Sequence, residues 1–240
     1  MTTEEFNFEF DILYNNIASN QAPGLNTYEK SLFLTKAQEE LLKNYFNPKG
    51  NRYLEGFDDN AKRQEDFSRL ITVAEKSPIT PPATFVKINS KSLVFEAPED
   101  ILISLTEVLR NDSGKQFIAV PIGFEEYQRL MAKPFAFPFK REAWRLYHLS
   151  GDTLYYEVIA RTPEDFSPKY VIRYIRRPNP IILEDLTGDY EGLLINGKSE
   201  QSECELSESI HREILTRAVE LAKIAFSNDA DALQSGQRAE

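Results

Sequence analysis

The chain has 240 residues, 41% of them apolar, and its 38 acidic against 28 basic residues give a net charge of -10. That is enough apolar material for a sizeable core, which excludes disorder of the whole chain, and the wrong sign for drawing in nucleic acid or an anionic membrane by net attraction. A single cysteine, Cys204, leaves no intrachain disulfide or thiolate metal cluster; the acidic opening MTTEEFNFEFD is unlike a secretory signal; and no apolar run approaches the roughly 20 residues of a membrane span, so a soluble protein is expected.

The first predicted element is a helix. Beyond a short Phe6, Phe8, Phe10 alternation, Phe10, Leu13 and Ile17 fall at helical spacing before the break at Ser19 to Gly24. A second helix starts at Asn26, whose partner Glu29 three residues on makes an Asn variant of the capping box. Its apolar positions Phe33, Leu34, Ala37, Leu41, Leu42 and Tyr45 make a broad stripe that ends at Asn47-Pro48-Lys49-Gly50. A third helix is predicted from Asp58 or Asp59, with Phe67, Leu70, Ile71 and Ala74 inward, until Pro78 and Pro81-Pro82 stop it.

After Pro82 the apolar period falls to two. Residues 84–97 alternate around an Asn89-Ser90 turn, and further strands are predicted at 101–109, 116–120, 143–149, 153–160 and 169–176, with a hairpin turn at Ser150-Gly151-Asp152. FEEYQRLMAKPF at 124–135 reads as one or two helical turns. Helical spacing returns over 207–226 through Ile210, Ile214, Ala218, Leu221 and Ala225, with Leu215, Ala222 and Phe226 widening the stripe. The expected fold is α+β: a discontinuous helical bundle, with 1–82 as its N-terminal part, an antiparallel β sandwich or barrel inserted at 83–206, a C-terminal helix at 207–227 returning to the bundle, and a flexible tail at 228–240.

Catalytic constellations are not evident. HREIL at 211–215 lacks the residues of an HExxH zinc helix, and His211 reads as a solvated or capping group. No glycine pattern cradles a nucleotide, and the adjacent acid pairs, such as Glu99-Asp100 and Glu125-Glu126, read as solvated carboxylates. No cofactor, metal or enzymatic activity is expected. Trp144, Tyr147, Tyr155 and Tyr156 gather on neighbouring strands as a sugar platform would, although Tyr155 and Tyr156 must point to opposite faces, which favours core packing.

Charge is unevenly distributed. KYVIRYIRRPNP at 169–180 carries Lys169, Arg173, Arg176 and Arg177 with no acid, which fits either an edge strand guarded by charge and Pro178 or a contact patch. Met1 to Glu29 carries Glu4, Glu5, Glu9, Asp11 and Glu29 with no base. Patches of opposite sign are what a head-to-side ring contact uses to fix neighbour and register.

The stretches LYNNIASNQAPGLNTYEKSLFLTKAQEELLKNYF, VPIGFEEYQRL with MAKPF, YIRRPNPIILEDL and SIHREILTRAVELAKIAF together resemble the head-to-tail connector or tail ring proteins of short-tailed crAss-like bacteriophages, over most of the chain. The resemblance implies a structural virion protein: a dodecameric ring stacked below the portal, touching portal and adjacent tail rings, with genome DNA passing through its channel without sequence-specific binding. It also implies assembly in the host cytoplasm. On that reading Phe33, Leu41, Tyr45, Phe67, Ile214 and Phe226, with Arg173, Arg176 and Arg177, are expected at subunit contacts, and Asn228, Asp229, Asp231 and Leu233 at a neighbouring ring. The alternative is a carbohydrate-binding or tail-fibre attachment module built on Trp144.

Overall fold

The computed structural model describes the chain apart from residues 18–23, 47–60, 112–113, 134–136, 162–167, 188–191 and 238–240; at 16–17, 45–46, 61–63 and 226–237 the backbone alone is described. Along the chain run α1 (Thr3–Ile17), α2 (Thr27–Phe46), α3 (Ala61–Asp66), β1 (Ile71–Lys76), β2 (Leu93–Glu96), β3 (Ile101–Arg110), β4 (Gln116–Pro121), α4 (Phe124–Met131), β5 (Glu142–Ser150), β6 (Thr153–Ala160), β7 (Lys169–Arg176) and α5 (Glu208–Gln237). They form two compact units: Met1–Leu70 with Pro178–Glu240, and Ile71–Arg177. The helical unit is therefore discontinuous in sequence and the β unit is inserted in it. The division falls at Leu70/Ile71 and Arg177/Pro178, where 82/83 and 206/207 were expected.

In the helical unit both early helices open with reciprocal side-chain caps. Asn26 and Glu29 exchange bonds, the Asn26 N–H donating to Glu29 Oε2 at 2.9 Å and the Glu29 N–H to Asn26 Oδ1 at 2.8 Å. Thr2 and Glu5 do the same for α1. Phe6, Phe10 and Tyr14 of α1, Leu34, Ala37 and Leu42 of α2, and Ile210, Ile214, Leu215, Ala218 and Val219 of α5 are buried. Ile181 to Leu183 add a buried apolar run, joined by buried Leu186, whose backbone needs partners. Helix α2 supplies them through Ser31, Thr35 and Gln38, spaced to share one face. Leu183 N–H donates to Ser31 Oγ at 3.0 Å, Ile181 N–H to Thr35 Oγ1 at 3.1 Å, and Gln38 Nε2 to the Asn179 carbonyl at 2.9 Å.

The β unit is one seven-stranded sheet in the order β1-β7-β3-β4-β5-β6-β2, and not a sandwich. Every pairing is antiparallel except β4 with β5, which is parallel because α4 forms the crossover between them. Leu109, Phe117, Ala119, Ala143, Tyr156, Val158, Tyr170 and Ile172 alternate onto one face and make the main core. On the other face, α4 lays Tyr127 on Trp144, Leu146 and Ile159. The β5-β6 hairpin turns at Gly151, whose φ of 64° is a left-handed value that favours glycine.

Four expectations need correction. Ile71 and Ala74 lie in strand β1, paired with Ile175 and Ile172 of β7, and not in a third helix; their helical spacing is accidental in the β-prone run ITVAEK. Residues 84–92 form no strand, because the Glu157 carboxylate takes the backbone N–H groups of Ile88 and Asn89 that a ladder would use. Strand β7 lies between β1 and β3, so the basic run 169–176 is not an edge strand. Helix α5 continues past 227 to Gln237, through residues expected to be a flexible tail.

Candidate assembly surfaces

The two apolar lines of α1 separate when the helix is wound. Phe6, Phe10 and Tyr14 follow one another at i, i+4 and point inward, while Phe8, two residues from Phe6 and so about 200° around the helix, points out with Ile12. Phe8 is 68% exposed and Ile12 42% exposed. Glu4 and Glu5 are exposed beside them and Glu9 half-buried. On the inner flank, Lys30 Nζ donates to Asp11 Oδ2 at 2.7 Å and to Asn7 Oδ1 at 2.9 Å, fixing α1 to α2. Glu4, Phe8 and Ile12 thus form an acidic, apolar stripe that no described residue of the helical unit covers.

Among its described residues the β unit holds two buried carboxylates, Glu107 and Glu157, whose single, unpaired positions in the sequence gave no sign of burial. Glu107 receives a two-pronged bond from Arg145, Nε to Oε2 at 2.7 Å and Nη2 to Oε1 at 2.8 Å, and a third from the Tyr170 hydroxyl at 2.5 Å. The Arg145 guanidinium also lies 3.8 Å from the Tyr147 ring centroid. Burial, then the Glu107 charge, push the Tyr170 hydroxyl far above the ordinary tyrosine range, so it stays a proton donor. Glu157 accepts from Ile88 and Asn89 N–H and Ser92 Oγ, and His148 Nε2 lies 2.8 Å from its Oε2 without hydrogen-bond alignment. Both clusters serve as internal ties.

Among the described residues, no helix of the β unit lies on one half of the sheet's second face. Across β7, β3 and β4, Val171, Val108 and Ile118 stand side by side by register, with Glu75 and Glu142 at the ends of the row. The adjacent row holds Val73, Arg173 and Thr106, and on the opposite side Arg110 pairs with Lys169. Ile118 is 63% exposed and Val73 55%, and Arg110 and Arg173 are exposed as well. Lys169 Nζ is 2.7 Å from Glu75 Oε1. The face is apolar, flanked along the strands by Arg173 and by Arg110 with Lys169, and ended across the strands by Glu75, which pairs with Lys169, and Glu142.

The residues expected at contacts fall in different environments. Arg173 and Arg177 are exposed and Arg176 is half-buried; Phe33 and Leu41 are half-buried on α2. Phe67 and Ile214 are fully enclosed and have no surface to give a neighbour, because the 178–206 segment and the helices themselves absorb the broad stripes. Tyr45, Phe226, Asn228, Asp229, Asp231 and Leu233 lie on helical backbone, and their side chains fall outside the described residues. His211 is buried, not solvated: the Met1 amino group donates to Nδ1 at 2.8 Å, and Nε2 is 3.1 Å from the Leu206 carbonyl. Trp144 is buried under α4, which removes the sugar platform. The exposed pair Phe8 and Ile12 was missed, although the i+2 offset of Phe8 from Phe6 was its signal.

Charge divides along the units. By sequence the helical unit has 25 acidic against 13 basic residues, net -12, and the β unit 13 against 15, net +2, together -10.

The family described as phage tail ring protein 3/4 matches residues 1–234. The chain is 47% identical over 241 residues to ring protein 4/5 of Bacteroides phage crAss001, covering 100% of both chains. It is 35% identical over 232 residues to ring protein 3 of the same phage, covering 94% of this chain and 96% of that one.

Proposed function

Because the chain belongs to the family of phage tail ring proteins 3/4, we propose that it is a structural subunit of the virion tail which closes with copies of itself into a ring. The observation that carries this reading is end-to-end similarity to two ring proteins of one phage. The physical features agree with it: exposed Phe8 and Ile12 on an acidic helix, a sheet face with exposed Val73, Ile118, Arg110 and Arg173, and units of net charge -12 and +2 suit a contact between unlike surfaces, which closes rings. The ring stands in the head-to-tail connector as a dodecamer, meeting portal protein on one side and a neighbouring tail ring on the other, with Asn228, Asp229, Asp231 and Leu233 of α5 at the neighbouring ring. Genome DNA crosses its channel, and a net charge of -10 keeps phosphates from adhering to the wall. The role is non-enzymatic, and assembly takes place in the host cytoplasm.

The test is the mass of the purified full chain, alone and with portal protein. A ring-sized species in either sample is expected. A strictly monomeric chain in both, and in the virion, refutes the reading.

A further inference from the structure

We propose that the ring is closed by the acidic stripe of α1 from one copy seating on the uncovered face of the β1-β7-β3-β4 half-sheet of the next. The proposal rests on the ring reading above and names its contact. The two surfaces match in three respects. Both present exposed apolar side chains, Phe8 and Ile12 on the helix, and Val73, Ile118 and Val120 on the sheet. Their charges are complementary, since the outer side of α1 carries exposed Glu4 and Glu5 and half-buried Glu9 with no base, and the sheet face carries exposed Arg110 and Arg173, the Glu75 at one end of the face being paired with Lys169 and Glu142 standing at the other end. Their dimensions agree: Glu4 to Ile12 spans about 12 Å of helix at about 1.5 Å per residue, and four strands at about 4.8 Å spacing are about 14 Å across.

The contact joins unlike surfaces, so each copy offers one of each and the chain of contacts continues until it closes. An isologous pairing of two α1 helices would set Glu4 and Glu5 against their own copies, and pairing of two sheet faces would oppose the arginines. The bordering charges supply register and the apolar centre supplies the burial.

The test uses the full chain carrying Phe8→Cys and Ile118→Cys, incorporated into tailed particles and oxidised. Cys204 does not interfere, since it is buried and burial pushes its thiol up to about 11. The expected result is a ladder of covalent multimers from the double variant, and monomers from either single variant. Rings visible in the particle with no ladder, with dimers from one single variant, with a crosslink inside one chain, or with a crosslink to a different virion protein overturn this contact and leave the ring reading intact. Particles with no ring of this chain overturn the ring reading itself. As a second arm, Arg173→Glu is expected to lower ring yield at least tenfold and Glu4→Lys with Glu5→Lys to restore it in combination; an unchanged yield with Arg173→Glu overturns the contact.

Discussion

Replacing Glu107 by alanine leaves the Arg145 guanidinium, only 2% exposed, as a charge without its carboxylate. The two-pronged bond at 2.7 and 2.8 Å disappears, the Tyr170 hydroxyl loses its acceptor, and the cation keeps the faces of the Tyr147 and Tyr156 rings, at 3.8 and 5.4 Å, but no carboxylate. Breaking a buried pair from one side costs about 3–5 kcal/mol, against a total stability of about 5–15 kcal/mol for a domain. For a unit near 100 residues this lowers the melting midpoint by at least about 12 °C, at roughly 4 °C per kcal/mol. Thermal and urea unfolding of the full chain, followed by near-UV circular dichroism of the sheet's tyrosines and Trp144, reads the change. The double variant Glu107→Leu with Arg145→Leu is expected to recover most of the loss, because apolar residues in place of both partners need no compensation. A loss below about 1 kcal/mol for Glu107→Ala, the scale of an exposed ion pair, refutes the reasoning: it would mean that water reaches Arg145 and the cluster is not a sealed tie.

Three other outcomes follow from the geometry. Phe6→Ala on α1 is expected to cost about 3–5 kcal/mol in denaturant unfolding and Phe8→Ala less than about 0.5 kcal/mol, since Phe6 is enclosed and Phe8 is 68% exposed; equal costs would refute the assignment of faces. Asn26→Ala removes the cap of α2 and is expected to lower stability by about 0.5–2 kcal/mol, with no loss if the reciprocal bonds to Glu29 are absent in solution. Burial, more than any neighbouring charge, depresses the His211 pKa below its ordinary value, so the folded chain resists protonation there. The unfolded chain then binds more protons between the folded value and about 6.5, and stability is expected to fall as pH drops below about 6.5. The variant His211→Gln is expected to flatten that slope, and an unchanged slope would contradict the assignment.

Local signals made much of the fold readable. Strands β6 and β7 start and stop where alternation and turn residues place them, and the Asn26 to Glu29 cap is intrinsic to four residues of sequence. Errors arose where distant chain decides. Ile71 to Lys76 is a strand because β7 is there to pair with it, and 84–92 is a loop because Glu157 captures its N–H groups. Ser31, Thr35 and Gln38 look like an ordinary polar face until the 179–183 backbone arrives to use them. Glu107 and Glu157 are indistinguishable from solvated acids one residue at a time. Of the candidate surfaces, the opposite charge of α1 and β7 is visible in the sequence, whereas the broad stripes containing Phe67 and Ile214 are internal packing. The apolar surface left over after folding lies elsewhere, and includes Phe8 and Ile12 of α1 and Val73 and Ile118 of the sheet.

The most direct test is a three-dimensional reconstruction of purified tailed particles at a resolution that traces this chain. A closed ring is expected in the tail, every copy touching two neighbours through different surfaces. Copies that stand apart, a chain present singly, or its absence from the tail would contradict the account.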